Sequence, residues 1–520
     1  MPPSEVVTFE LAKQLAALSS QFGRQIGVLI NRRGAVLQVI VGDSGSIFIP
    51  SLEAHPLGRK ALRGLRLVHT HLKDKTLTRD DITDLALLRL DLIAAIGVRG
   101  DGQPGAVQMA HLLPQGDGKK IEVLDFPDMG RLRFDFEGFI SALESEMERK
   151  RLFDYDQADG RERAILISVS TKKPKYELEE SMEELKELAH SSGVLVLGSV
   201  IQRLKEINPK YLMGEGKIKD LVIDALDKGA TLLVFDQDLG PSQIKSITEL
   251  TELKVIDRSQ LILDIFARRA GSREGKVQVE LAQLKYLLPR LTGKGTAMSR
   301  LMGGIGGRGP GESKLEIDRR RVRDRIHFLE KQLKTLSLAR SQRKQRRVER
   351  GLPIVSIVGY TNAGKSTLLN TLTRSSTVVE DRMFATLDTA SRRIRFPRER
   401  ELIITDTVGF IRDLPKDLMA AFKATLEELE DATLLLHLVD ASNPRFPQQM
   451  DSVLKILEDL DLSKKPRLLV FNKADRISPE EAAALKNRYG ALMISARVQS
   501  TLGPLLDELE HDIWQEAGNL

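Results

Sequence analysis

The chain has 520 residues, of which 41% are hydrophobic and 29% charged, and a formal net charge of +6. This length exceeds a single compact core, so we expect several domains, and the absence of cysteine excludes disulfides and cysteine-based metal sites. No run of 18 apolar residues could span a bilayer and the N-terminus lacks the pattern of a secretory signal, so we expect a cytoplasmic protein.

Residues 1–115 are predicted to form a small α/β domain. Its expected elements are a hairpin, a third strand and a helix, at 26–30 with 36–41, 65–71 and 80–92. Residues 116–162 mix acidic and basic side chains with Gly, Asp and Pro, which predicts a linker containing one helix at 136–149.

Residues 163–271 alternate short apolar runs with amphipathic stretches. The predicted strands are 164–169, 194–200, 231–235 and 254–256. The predicted helices are 178–190, 217–228 and 242–251. Such alternation favours a second α/β domain with a parallel sheet and right-handed crossovers.

Residues 272–350 are predicted to form a helical hairpin with a glycine-rich tip. The first helix is 277–291, and residues 293–313 contain 8 glycines. In the second helix apolar residues repeat at the 4-3 spacing of a coiled-coil seam, at Val322, Ile326, Leu329, Leu333 and Leu336. The segment 314–350 holds 14 Lys or Arg and 5 Asp or Glu, which indicates either a solvated face or a nucleic-acid contact.

Residues 351–520 again alternate strands and helices, and they contain a phosphate-loop motif. G-x-x-x-x-G-K-S stands between the apolar strand 354–359 and a helix that begins at Lys365. Glycines let backbone N–H groups surround phosphates, the lysine adds positive charge, and the serine hydroxyl binds Mg²⁺. The predicted nucleotide contacts in this loop are Gly359, Asn362, Ala363, Gly364, Lys365, Ser366 and Thr367.

Further motifs follow at the ends of predicted strands. Asp406 and Gly409 belong to a D-x-x-G motif, in which the aspartate reaches Mg²⁺ through water and the glycine N–H senses the γ-phosphate. Asp475 closes the motif N-K-x-D and can accept both N–H groups on the guanine edge, whereas adenine would leave this carboxylate unpaired. The remaining predicted base contacts are Asn472, Lys473, Ser495 and Ala496.

Thr386 is placed to close over Mg²⁺ and the γ-phosphate in the triphosphate state, since it follows the phosphate-loop lysine by 21 residues. We therefore predict Ser366 and Thr386 as metal ligands and Lys365, Thr386 and Gly409 as catalytic residues. GTP or GDP is the expected ligand.

Phe410 stands where many GTPases have a glutamine that orients the attacking water. Phenylalanine cannot make that hydrogen bond, so we expect slow hydrolysis until a partner or an ion completes the site. Asn362 matches the potassium-coordinating asparagine of cation-dependent GTPases. The alternative is that Asn362 only tolerates the loop conformation.

The chain resembles the HflX GTPases of the Obg–HflX group over roughly 163–515. The resemblance rests on the segments 303–316 with Asp318-Arg-Arg, GYTNAGKST in the phosphate loop, the switch segment 384–388 and DTVGFIRDLP at 406–415. It implies a multidomain α/β protein with a P-loop G domain. It also implies binding to the large ribosomal subunit and rRNA, with separation of ribosomal subunits in the GTP state. A further C-terminal domain, which many family members carry, is not expected here.

The N-terminal domain contains His69 and His71 at the end of a strand, followed by Thr78 and Asp81 at the start of a helix. This resembles the His-x-His…Ser-x-x-Asp signature of JAMM-type zinc isopeptidases, although the spacing is one residue short and Gln25 stands where a catalytic glutamate is needed. The favoured interpretation is a degenerate fold with Thr78 as a helix cap. Zinc binding at His69, His71 and Asp81 is the alternative.

The sequence thus favours a Mg²⁺-dependent, ribosome-acting GTPase that functions as a monomer, with K⁺ at Asn362 as an additional candidate ion. The alternative is a low-turnover, guanine-nucleotide-sensing RNA-binding scaffold, which Phe410 keeps open.

Overall fold

The structure is a computed structural model organised around three β-sheets. It describes residues 1–50, 52, 54, 55, 57, 61–73, 76–114, 120–155, 161–172, 174–291, 314–348, 352–373, 383, 390–396, 400–407, 409–412 and 429–514. Within these ranges no helix has both the length and the apolar character needed to cross a membrane.

The first sheet has six strands in the order β2-β1-β3-β4-β5-β6, and only β3 and β4 are parallel neighbours. The strands are β1 Ile26–Asn31, β2 Val36–Val41, β3 Leu65–Leu72, β4 Leu92–Val98, β5 Pro104–Leu112 and β6 Ile121–Phe126. The helices that cover it are α1 Phe9–Phe22, α2 Arg79–Leu88 and α3 Phe136–Tyr155. The predicted hairpin and third strand are confirmed.

Two expectations about this region are wrong. The helix expected over 80–92 ends at Leu88, because Arg89 adopts a left-handed conformation and the buried run from Leu92 is a strand. The stretch 116–162 is more than a linker, because β6 pairs with β5 and α3 contributes every third or fourth side chain to the core of the first sheet. A short apolar run does not distinguish strand from helix by periodicity alone.

The second sheet has four strands, all parallel, in the order β10-β9-β7-β8. The strands are β7 Arg163–Ser170, β8 Leu195–Arg203, β9 Leu232–Phe235 and β10 Lys254–Asp257. The helices are α4 Lys175–Ser191, α5 Glu215–Asp227, α6 Pro241–Leu250 and α7 Arg258–Arg269. The predicted parallel sheet is confirmed, and α7 is an element that the sequence analysis did not predict.

The predicted helical hairpin consists of α8, Arg273–Leu287, and the long helix α9, Lys314–Val348. Val322, Ile326 and Leu329 of the 4-3 repeat are buried with Val277 and Leu281 of α8, so the seam closes on the first helix as predicted. The predicted glycine-rich tip at 293–313 lies outside the described residues.

The third sheet has the order β12-β13-β11-β14-β15-β16, with β12 alone antiparallel to its neighbour. The strands are β11 Ile354–Val358, β12 Ala390–Arg395, β13 Glu401–Asp406, β14 Leu434–Asp440, β15 Arg467–Asn472 and β16 Leu492–Met493. The helices are α10 Lys365–Thr373, α11 Phe446–Asp459, α12 Pro479–Tyr489 and α13 Gly503–Trp514. This is the doubly wound arrangement in which ligands bind at the carboxyl ends of the strands.

The second sheet lies between the other two. Leu185 of α4 and Phe266 of α7 share a hydrophobic core with Leu435 of β14 in the third-sheet domain. On another side, Arg89 of the first domain donates to Asp227 of α5 at 3.1 Å. The second domain therefore contacts both the candidate nucleotide-binding domain and the N-terminal domain.

Candidate nucleotide site

The predicted phosphate loop connects β11, in the interior of the third sheet, to the N-terminus of α10. Gly359 has no room for a side chain, because a Cβ atom there would lie 2.3 Å from the carbonyl oxygen of Leu438 in β14. Asn362 adopts a left-handed backbone conformation with φ 61°. The loop is thereby bent back over the helix N-terminus, where N–H groups favour an anion.

Lys365, the first residue of α10, is buried, and its Nζ donates to the carbonyl oxygens of Gly359 at 3.0 Å and Tyr360 at 2.8 Å. Burial lowers the pKa of Lys365 to about 8, although Asp406 acts in the opposite direction. A buried ammonium at this position provides positive charge for a phosphate ligand. Thr367 lies in the first turn of the same helix.

Ser366 and Asp406 meet beside this lysine. The Ser366 hydroxyl donates to Asp406 Oδ2 at 2.6 Å, which joins the phosphate loop to the end of β13. This pair fits Mg²⁺, with the Ser366 hydroxyl as a ligand and the Asp406 carboxylate reaching the ion through water. Thr386, the other predicted metal ligand, lies outside the described residues.

Asn472, at the end of β15, forms hydrogen bonds with two separate loops. Its amide donates to the carbonyl oxygen of Ala363 at 2.7 Å and accepts from the N–H of Ala496 at 2.8 Å. Gly364 makes this approach possible, since it has φ 96° and a Cβ atom there would lie 2.2 Å from Asn472 Nδ2. Asn472 therefore holds the phosphate loop against the segment that contains the predicted base contacts Ser495 and Ala496.

The other predicted base contacts follow Asn472 along the chain or lie in the segment that it contacts. Lys473 adopts φ 61° and its Nζ contacts Asp440 Oδ2 at 2.7 Å. Asp475 is exposed in the turn that follows, and the side chain of Ser495 is the main cause that keeps the pKa of Asp475 below its usual value. An ionised, accessible carboxylate is the acceptor that the guanine edge requires. Asp440 is a supporting residue that sequence reasoning missed.

Gly409 and Phe410 lie against the phosphate loop. A Cβ atom on Gly409 would be 3.1 Å from Lys365 Nζ and 2.9 Å from the side chain of Thr361. The Phe410 N–H donates to Gly359 O at 3.1 Å, and Thr361 N–H donates to Phe410 O at 2.8 Å. The Phe410 side chain is buried in the hydrophobic core and does not face the nucleotide cleft.

A buried polar network that the sequence analysis did not identify connects this loop to the second domain. Tyr360 donates its hydroxyl hydrogen to Glu184 of α4 and accepts the N–H of Arg412 at 2.9 Å. Arg258 of α7 donates to Glu184 at 2.5 Å and to Asp236 at 3.0 Å. Glu184 and Tyr360 are 176 residues apart, and no local pattern signals such a contact.

The mostly parallel sheet, the phosphate loop after its interior strand β11 and the N-K-x-D carboxylate after β15 define a GTP-binding P-loop protein. Three family profiles match the chain: "GTP-binding GTPase N-terminal" over 179–267, "GTP-binding GTPase Middle Region" over 269–347 and "50S ribosome-binding GTPase" over 354–473.

The chain is similar to curated GTPase HflX proteins of several bacteria. It is 46% identical to that of Caldanaerobacter subterraneus over 69% of this chain and 82% of the relative. It is 45% identical to that of Escherichia coli K12 over 68% of this chain and 84% of the relative. The chain belongs to the HflX family of GTPases, and it binds and hydrolyses GTP.

Among solved structures, a GTP-binding protein from Sulfolobus solfataricus in complex with GDP is 25% identical, over 69% of this chain and 99% of that one, with a TM-score of 0.36.

Proposed function

We propose that this GTPase is a cytoplasmic, monomeric switch that binds the large ribosomal subunit and separates ribosomal subunits in its GTP state. The observation that carries the proposal is the direct connection from the phosphate loop through Tyr360 to the second domain. A nucleotide-dependent change in the loop can thereby reach elements far from the nucleotide.

Within the nucleotide site, Lys365 and the loop N–H groups hold the phosphates, and Asp475 selects guanine. Ser366 and, after closure, Thr386 would hold Mg²⁺, with Asp406 behind them; the ion neutralises phosphate charge when bound. The backbone N–H of Gly409 is proposed to bind the γ-phosphate, because Gly409 lies beside Lys365.

Hydrolysis by the isolated protein is expected to be slow. The side chain of Phe410 is buried in the core and offers no hydrogen bond to the attacking water. We propose K⁺ at Asn362 and the ribosome as the two sources of the missing stabilisation.

Asn362→Gly separates the two interpretations of this residue, because glycine keeps the left-handed conformation and removes the side-chain oxygen. If Asn362 binds K⁺, wild type hydrolyses GTP faster in K⁺ than in Na⁺ and the glycine variant does not. Equal wild-type rates in both ions would remove the ion proposal.

The long helix α9 supports RNA binding. Arg323 and Lys331 are exposed on it, and so is Phe328, whose ring lies 5.2 Å from the guanidinium of Arg325. Basic side chains contact RNA phosphates, and an exposed aromatic ring can stack on an unpaired base. We expect Arg323→Gln and Lys331→Gln each to reduce the salt dependence of ribosome binding by about one counterion.

The decisive test is separation of purified ribosomes on sucrose gradients with a non-hydrolysable GTP analogue or with GDP. Free subunits should accumulate with the analogue and not with GDP, and Lys365→Ala should have no effect on ribosomes. If the chain bound ribosomes in a nucleotide-dependent way but neither separated the subunits nor hydrolysed GTP faster, the alternative of a low-turnover RNA-binding scaffold would be favoured.

A further inference from the structure

Three side chains that can bind a metal converge in the N-terminal domain, far along the chain from the nucleotide motifs. His69 and His71 lie on the same face of β3, because successive side chains on a strand alternate. Their Nε2 atoms are 2.8 Å apart, and Asp81 of α2 places Oδ1 3.1 Å from His69 and Oδ2 3.3 Å from His71. All three side chains are buried.

These distances fit ligands around one small cation. Zinc bonds of about 2.0–2.1 Å in a tetrahedron place neighbouring ligand atoms about 3.3 Å apart. Each histidine lies within about 0.2 Å of that edge from one Asp81 oxygen, His69 from Oδ1 and His71 from Oδ2, and the histidine–histidine distance is about half an ångström shorter. Two imidazoles and a carboxylate are ligands that zinc accepts.

Protons alone do not satisfy every contact of this cluster at once. If each imidazole directs an Nε2–H at its own Asp81 oxygen, no hydrogen bond joins the two Nε2 atoms, which are 2.8 Å apart. If one Nε2–H is instead shared between the two rings, the other Nε2 turns a lone pair toward the carboxylate, and such a buried contact without a donor is unfavourable. A divalent cation at the centre interacts with all three side chains at once.

The carboxylate is also held in place by a second set of contacts. Thr78 donates to Asp81 Oδ2 from its backbone N–H at 2.6 Å and from its hydroxyl at 2.7 Å. These bonds form the capping box of α2, which confirms Thr78 as a helix cap. Hydrogen bonds of this kind orient metal ligands, so the cap and a metal site are compatible.

In the described part of the N-terminal domain, Gln25 stands where a catalytic glutamate would act as the base for hydrolysis. Gly27 pairs with His69, and Gln25 lies two residues before it, where the side chain shares the face of the sheet with the histidines. Gln25 is buried, and its amide cannot take a proton from a metal-bound water.

We infer that the N-terminal domain binds one Zn²⁺ through His69, His71 and Asp81, and that this ion joins strand β3 to helix α2 without hydrolytic activity. The inference is independent of the proposed action on ribosomes.

The test is metal analysis of the full chain, produced with zinc and purified without chelator. We expect about one zinc per chain, and at least a roughly tenfold loss in His71→Gln and Asp81→Asn. His111→Gln is the matched control, because His111 is another buried histidine of this domain, beside the single carboxylate of Glu122 at 3.3 Å. This variant should retain the zinc.

A second readout is thermal unfolding before and after chelation. Chelation should lower the unfolding temperature of wild type and of His111→Gln, and leave His71→Gln unchanged. Wild type without zinc, or with equal zinc in His71→Gln, would overturn the site, and stoichiometric iron would overturn the zinc assignment.

Discussion

Replacement of Asp475 by asparagine removes the carboxylate that we propose as the acceptor for the guanine edge. The side chain is exposed, and contact with Ser495 keeps its pKa below the usual value, so it is ionised at neutral pH. Because the side chain is exposed, the substitution should leave the phosphate loop intact. Any change in affinity therefore reports on the base.

Asparagine keeps one acceptor oxygen and turns an NH2 group toward the other guanine N–H, so one hydrogen bond is lost and the remaining one is no longer to a charged group. The lost bond contributes about 1.5–3 kcal/mol and the loss of charge about 1–1.5 kcal/mol, which together give roughly 2.5–4.5 kcal/mol. Asp475 is exposed in the free protein, and solvent screening favours the lower limit. A loss of about 3 kcal/mol corresponds to roughly 100-fold weaker GDP binding.

Competition between GDP and XDP is the assay. Xanthine has a carbonyl oxygen where guanine has an amine, so it repels the wild-type carboxylate and can accept a hydrogen bond from an asparagine amide. Wild type should prefer GDP, and Asp475→Asn should prefer XDP. Asp440→Asn is the control, because Asp440 contacts Lys473. This variant should reduce the affinities for GDP and XDP by a similar factor. An unchanged preference for GDP in Asp475→Asn would refute the base assignment.

Three other changes test other parts of the molecule. Burial lowers the pKa of Lys365 to about 8, so much of this side chain is neutral near pH 9, and GDP binding should take up a proton because the phosphates favour the ammonium form. Calorimetry in buffers of different ionisation enthalpy should detect the uptake, and GDP binding without it would contradict this prediction. Tyr360→Phe and Glu184→Ala each remove one end of a buried hydrogen bond, so their effects on the GTP-to-GDP affinity ratio should be non-additive by about 1–3 kcal/mol. Additive effects would exclude the connection. Arg66→Leu removes the guanidinium group that donates to three backbone carbonyl oxygens. The free energy of unfolding of the N-terminal domain should fall by about 3 kcal/mol. An unchanged denaturation midpoint would contradict this prediction.

The nucleotide site was largely predictable from sequence because its geometry is local. Gly359, which packs closely against the backbone of Leu438, and Lys365, at the N-terminus of a helix, both belong to one motif of eight residues. Alternation of strands and helices also predicted the parallel sheets. Asn472 was predicted as a base contact, yet its hydrogen bonds to Ala363 and Ala496 required the fold.

Contacts between distant segments could not be predicted in this way. Strand β6 is positioned by its pairing with β5, because apolar and polar side chains do not alternate regularly in its sequence IEVLDF. The spacing of His69 and His71 predicts one shared face, and Asp81 was named beside them only through the resemblance to the isopeptidase signature. The packing of α2 against the sheet is what brings Asp81 within 3.1–3.3 Å of the histidines. Tertiary pairing determines such positions, and a single sequence does not reveal it.

The most direct test of the proposed switch is GTP hydrolysis by the full chain with and without purified large ribosomal subunits, with Lys365→Ala as the inactive control. We predict slow hydrolysis alone and strong stimulation by the large subunit, together with binding to that subunit that requires the GTP state. An unchanged rate, with equal binding in GTP and GDP, would contradict the proposal.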